Sequence, residues 1–125
     1  MRRNQSNLTT ASKGFQMAKT IEIVTFRLAD GVSDEAFIAE TKTMERDFLG
    51  KLPGFIDRDT GKSAEGGWIV VLHWASAEDA QASMNKFVDA PGTKAFTACI
   101  DMSTFQMVRY RLEDFYKLST DDAAA

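Results

Sequence analysis

The chain has 125 residues, of which 44% are apolar and 26% are charged, as expected for one ordinary globular domain. Its single cysteine, Cys99, and single histidine, His73, exclude an intrachain disulfide, a multi-cysteine zinc site and a metal site with two histidines. A net charge of −3 argues against binding to nucleic acid. No apolar run approaches the roughly 20 residues of a membrane-spanning helix. We therefore predict a cytoplasmic domain with no metal or cofactor.

The two ends of the chain differ in composition from its centre. Residues 1–19 carry four basic side chains, no acidic one and no periodic pattern, so we predict a flexible N-terminal arm. Residues 113–125 are acidic and end in three alanines, which is typical of a frayed tail. Residues 20–112 contain no repeat and no linker, and are predicted to form a single domain.

Six main elements are predicted from apolar periodicity, helix-capping residues and turn residues. In chain order they are a strand at 21–28, a helix from the cap Ser33 to Gly50, a strand at 55–60, a strand at 68–74, a helix from the cap Ser76 to Pro91, and a strand at 102–112. A glycine-rich hairpin loop at 61–67 and a short helical turn at 93–99 complete the prediction.

This βαββαβ order predicts an α+β domain of the ferredoxin-like class, with an antiparallel sheet in the spatial order 4-1-3-2. The order agrees with composition, because the second strand is short and charged, as an edge strand should be. Its residues Asp57, Arg58 and Asp59 are interpreted as a solvated edge. The first and third strands, which are the most apolar, would be central.

The third strand is apolar on both of its faces, and the first strand shows the same property. Two helices can cover only one face of the sheet. A second copy packed sheet against sheet, giving a homodimer, is the favoured cover, and the N-terminal arm is the alternative. Alternation along the strands assigns the dimer interface to Ile21, Ile23, Ile69, Val71 and His73.

Three segments of the chain resemble the antibiotic biosynthesis monooxygenase-like family of dimeric α+β barrel proteins. They are IEIVTFRLADGVSDEAF, LPGFIDRD and GGWIVVLHWASAEDAQASMNKF, and the resemblance covers residues 20–112. It implies two ferredoxin-like subunits joined in a barrel, each binding a small aromatic or quinone-like ligand between sheet and helices. Cofactor-independent members deprotonate an electron-rich phenol or anthrone and let the carbanion react with oxygen. Because the superfamily hosts many chemistries, a non-catalytic ligand-binding or stress-related protein stays an alternative.

Haem-degrading members of the family use an asparagine, a tryptophan and an iron-binding histidine. The tryptophan corresponds to Trp74, but the asparagine position is Phe26 and the histidine position falls at Ser83 or Met84. The resemblance therefore disfavours haem degradation for this chain.

Trp74 is the residue most suited to contact an aromatic ligand, because its indole offers a large apolar face and one N–H donor. Other aromatic and methionine side chains at helical or strand spacing could line the same cavity or could simply form core. The predicted cavity set is Trp74, Phe26, Trp68, Met84, Phe87 and Met44, with Phe37 and Phe96 as further candidates.

No catalytic base is identified from the sequence. His73 alternates with Trp74 and so faces the opposite side of the sheet, toward the predicted interface. Arg109 and Arg111 share one face of the last strand, where they could bind an acidic ligand group or pair with acids across the dimer. Tyr110, on the other face, is a conceivable proton donor, and Cys99 is predicted to be a buried apolar residue.

Overall fold

The computed structural model describes residues 18–118. Most of the predicted arm and residues 119–125 of the predicted tail lie outside the described residues. The regular elements are β1 (Thr20–Leu28), α1 (Asp34–Asp47), β2 (Phe55–Lys62), β3 (Trp68–Trp74), α2 (Ala77–Phe87), α3 (Lys94–Ala98) and β4 (Ile100–Arg111), with short 3₁₀ turns at Leu49–Lys51 and Pro91–Thr93. No helix within residues 18–118 is long and apolar enough to cross a membrane.

Both long helices begin at the predicted capping residues. Ser33 Oγ accepts a hydrogen bond from the backbone N–H of Ala36 at 3.1 Å, at the start of α1. Ser76 Oγ accepts from the Asp79 N–H and donates to its carboxylate, both at 3.0 Å, at the start of α2. These bonds satisfy backbone donors that a helix N-terminus otherwise leaves without a partner.

The four strands form one antiparallel sheet in the order β2-β3-β1-β4, which is the predicted ferredoxin-like topology. β2 extends to Lys62, two residues beyond the predicted strand, and the hairpin loop is correspondingly shorter. Within that loop Gly66 has a φ of +90°, a conformation that favours glycine. The fold prediction is confirmed, and the strands begin or end within two residues of the predicted positions.

The core lies between the sheet and the helices. On β3, Trp68, Val70, Leu72 and Trp74 are all buried on this face. Phe37 of α1 is fully buried against them. The alternation of buried and more exposed residues along β3 therefore follows the predicted parity.

The opposite face of the sheet carries the five residues predicted to form an interface. Ile69 is 40% exposed there, and β4 adds Val108 at 47% and Tyr110 at 52%. Strand register places Tyr110 beside Ile21 and Val108 beside Ile23. This apolar face is thus continuous across three strands and open in the single chain.

Candidate functional site

A cavity of about 530 Å³ lies between the helix side of the sheet and α1, α2 and α3. Its volume is in the range of small-molecule binding sites. Its walls are mainly aromatic and aliphatic. Five of the six predicted cavity residues line it, namely Phe26, Met44, Trp74, Met84 and Phe87.

Trp68 is the exception, and the structure corrects its assignment to this cavity. Trp68 lies six positions before Trp74 on β3, a distance of roughly 20 Å, so the two indoles are at opposite ends of the strand. Phe37 of α1 packs edge-on against Trp68 with ring centroids 4.8 Å apart. Trp68 of β3 and Phe37 of α1 are therefore core residues between the sheet and α1, whereas Phe96 lines the cavity.

A row of four residues crosses the sheet on the cavity side, one from each strand. The register aligns Arg58 of β2 with Leu72 of β3, Leu72 with Glu22 of β1, and Glu22 with Arg109 of β4. Neighbouring strands are about 4.8 Å apart, so the backbones of Arg58 and Glu22 are roughly 10 Å apart. Glu22, Leu72 and Arg58 all line the cavity, so this row places two buried ionisable groups in a mainly apolar site.

Glu22 is the buried carboxylate of this row, with only 6% of its surface exposed. Its Oε2 accepts a hydrogen bond from Arg109 Nε at 2.7 Å, and its Oε1 accepts a long one from Trp74 Nε1 at 3.4 Å. Arg109 is held in turn by Gln81 of α2, whose Oε1 accepts from Nη1 at 2.8 Å. The arginine thus supplies the counter-ion that a buried carboxylate requires.

Glu22 is not among the site residues predicted from the sequence. The available signal was its place on the inward side of an apolar strand, between Thr20 and Val24. Arg109 was given two alternative roles, binding an acidic ligand group or pairing across a dimer, and in the structure it pairs with Glu22 of the same chain.

Arg58 is the buried cation of the row, and its side chain is only 4% exposed. Its Nη1 donates to Glu45 Oε2 at 2.8 Å, and its Cζ lies 5.7 Å from the centre of the Phe96 ring. Burial lowers the pKa of the Arg58 guanidinium, and the bond to Glu45 opposes that shift. The interpretation of this strand as a solvated edge is therefore wrong for Arg58, although Asp57 and Asp59 are exposed as predicted.

The remaining candidates lie as follows. Ser83, at the position where the family resemblance expects an iron-binding histidine, is buried in the cavity wall. His73 lies on the opposite face of the sheet, where its Nδ1 is 2.6 Å from Asp57 Oδ1. Cys99 is buried, and burial raises the pKa of its thiol. Tyr110 is on the open face of the sheet, away from the cavity.

Solved structures with this fold include SnoaB, a cofactor-independent oxygenase from Streptomyces nogalater. It is 11% identical, with a TM-score of 0.63 over 78% of this chain and 96% of that one. A candidate antibiotic biosynthesis monooxygenase from Bordetella bronchiseptica is 15% identical, with a TM-score of 0.64 over 77% of this chain and 98% of that one. A dimeric ferredoxin-like protein of unknown function from Thermobifida fusca is 14% identical, with a TM-score of 0.60 over 78% and 94%.

The chain has the ferredoxin-like fold of antibiotic biosynthesis monooxygenase-like proteins. No family model matches the sequence, and no curated protein matches it either. At these identities the likeness is one of fold alone, and a shared fold does not imply a shared function.

Proposed function

We propose that this protein binds a small aromatic or quinone-like substrate in the cavity and oxidises it with molecular oxygen, without a cofactor. The observation that carries the proposal is Glu22, a buried carboxylate in an apolar cavity and in contact with the Trp74 indole. Ionisable groups buried in a cavity are frequent at catalytic sites. The shared fold with SnoaB, a cofactor-independent oxygenase, supports the same reaction class.

The proposed chemistry uses Glu22 as the base. Arg109 occupies Oε2, which leaves Oε1 with one long hydrogen bond and free to accept a proton from an acidic C–H of an anthrone-like substrate. The resulting carbanion transfers electrons to oxygen and forms a C–O bond. In the net reaction a CH₂ group becomes C=O, one oxygen atom enters the product, and the other leaves as water with the two hydrogens.

The test is oxygen uptake with anthrone as the probe. Glu22→Gln keeps the shape of the side chain and one acceptor oxygen for Arg109, but it removes the base and the acceptor of the long Trp74 bond. We expect the wild type to consume oxygen and form anthraquinone, and the variant to lose at least about 100-fold in rate, a typical contribution of a general base. Glu65→Gln, an exposed loop carboxylate, is the matched control and should keep full activity.

An alternative function is ligand binding without catalysis. The Glu22–Arg109 ion pair favours this alternative, because a buried ion pair can hold two strands together without taking part in a reaction. Under this alternative anthrone binds to the wild type and to Glu22→Gln equally well, and neither protein accelerates oxygen uptake above the uncatalysed rate. That result would reject the oxygenase and keep the cavity as a binding site.

We further propose that two copies pack through their open sheet faces to form a homodimeric barrel in the cytoplasm. Ile69, Val108 and Tyr110 support this interface, because exposed apolar side chains on one continuous face are typical of a partner surface. The Thermobifida fusca protein with this fold is described as dimeric. Native mass spectrometry of the purified protein tests the subunit number and any retained ligand together, and a monomer would reject the proposed interface.

A further inference from the structure

The charged lining of the cavity is unequal in sign. Of the described residues, three charged side chains line it, namely Glu22, Arg58 and Lys94. Glu22 is already neutralised by Arg109 at 2.7 Å. Arg58 is likewise paired with Glu45 at 2.8 Å, so the lining, counted with these two partners, carries one surplus positive charge, that of Lys94.

Arg58 is the buried cation of the cavity lining, and Glu45 is its one charged partner among the described residues. Among residues 18–118 its guanidinium makes one hydrogen bond, from Nη1 to Glu45, and that carboxylate is itself 35% exposed. An arginine presents donors along more than one edge of a planar fork, so a second acceptor can bind beside Glu45. A nearly fully buried cation gains from such an acceptor, since water does not reach it freely.

The position of Arg58 suits the recognition of one end of a ligand. Arg58 sits on the edge strand β2, two strands from Glu22, with Leu72 between them on the cavity floor. A ring system lying over Leu72 would then extend from Arg58 toward Glu22 and Trp74. Such a ligand would meet the base at one end and the buried arginine at the other.

We infer that the cavity takes an aromatic ligand bearing one acidic group, and that Arg58 binds that group and selects for it. This inference rests on the proposed function only in requiring that the cavity bind aromatic molecules. Lys94 is exposed, so its charge is screened by solvent and it is the weaker candidate for the same task.

The experiment compares naphthoate with naphthamide, which have the same ring system and nearly the same shape but differ in charge. Calorimetric titration of the wild type should give a dissociation constant at least about tenfold lower for naphthoate, the scale of one charge-assisted hydrogen bond. Arg58→Met should bring the two constants within about twofold while leaving naphthamide binding unchanged. Arg58→Lys, which keeps the charge and loses the planar fork, should retain part of the preference and guards against a folding defect in Arg58→Met.

Lys86→Met, at an exposed α2 lysine outside the cavity lining, is the matched control and should keep the full preference for naphthoate, while Lys94→Met tests the competing assignment. If Lys94→Met removes the preference and Arg58→Met does not, the assignment to Arg58 is overturned. Equal binding of the two probes by the wild type would also overturn it, while the cavity would remain an aromatic site. Failure of both probes to bind would reject the ligand site altogether, and the inference with it.

Discussion

Glu22 of β1 and Arg109 of β4 stand directly opposite each other in the sheet and form an ion pair of 2.7 Å, although 87 residues separate them in the sequence. The pair lies on the helix side of the sheet, where the Glu22 side chain is 8% exposed and the Arg109 side chain 23%. Through Gln81 it also connects β4 to α2. One wall of the cavity therefore depends on a charge pair between the first and the last strand.

Removal of Arg109 should destabilise the fold, because it leaves a buried carboxylate without a counter-ion. We expect Arg109→Met to lower the free energy of unfolding by about 3 kcal/mol, the lower end for a broken buried pair, because Arg109 is partly exposed. Urea denaturation followed by circular dichroism measures the change. Arg46→Met, which breaks the exposed pair with Asp47, should leave the free energy of unfolding nearly unchanged. An equal effect of the two substitutions would mean that Glu22 does not depend on Arg109.

Gly54 should not tolerate a side chain. Its φ is +79°, and a Cβ atom there would lie 2.6 Å from Cβ of Asp79, which the start of α2 holds in place. We expect Gly54→Ala to cost about 2 kcal/mol more than Gly31→Ala, since overpacking adds to the backbone strain.

Gly31 is the matched control for this substitution, because its φ is +82° but no atom lies within 4 Å of its added Cβ. Chemical denaturation of both variants separates the two contributions. Equal losses at Gly31 and Gly54 would contradict the close approach between the turn and α2.

A charge on the open sheet face should disrupt the proposed dimer. Val71 lies on this face in the β1–β3 register, paired with Ile23. We expect Val71→Asp to give monomeric or insoluble protein, because burying an unpaired carboxylate in an interface is strongly unfavourable. Native mass spectrometry and size-exclusion chromatography report the outcome. Ala82→Asp adds the same charge on the exposed side of α2 and should leave the dimer intact, whereas an unchanged Val71→Asp dimer would refute the face assignment.

Cys99 should react slowly with alkylating reagents in the folded protein. Burial raises the pKa of its thiol, so less of the reactive thiolate is present at a given pH than in the unfolded chain. We expect iodoacetamide to modify the native protein more than about tenfold more slowly than the urea-unfolded protein, because reaction requires local opening. Mass spectrometry of timed samples measures both rates, and equal rates would contradict the burial.

The raised pKa of the Cys99 thiol also predicts how the free energy of unfolding changes with pH. A pKa raised in the folded state contributes stability below the unfolded pKa of the thiol, and that contribution is lost as the pH rises above it. The free energy of unfolding of the wild type, measured relative to Cys99→Ala, should therefore fall as the pH passes the ordinary thiol value of 9.0. A flat difference would show that Cys99 titrates alike in both states.

The sequence by itself determined the order of the elements, the two helix caps and the division of β3 into two faces. These are local properties: a cap depends on bonds over three residues, as at Ser76 and Asp79, and side-chain alternation repeats every two residues. His73 could be assigned to the open face for this reason. The central position of β1 and β3 followed from composition, since central strands are buried on both sides.

Only the tertiary structure decided which charged residues are buried. Arg58 lies on an edge strand, where its exposure depends on what packs above it, and Glu45 and Phe96 cover it from other elements. Glu22 and Arg109 meet only because β4 returns beside β1. Trp68 packs against Phe37 of α1 and does not line the cavity. Each of these outcomes is set by contacts between distant segments, which no local pattern records.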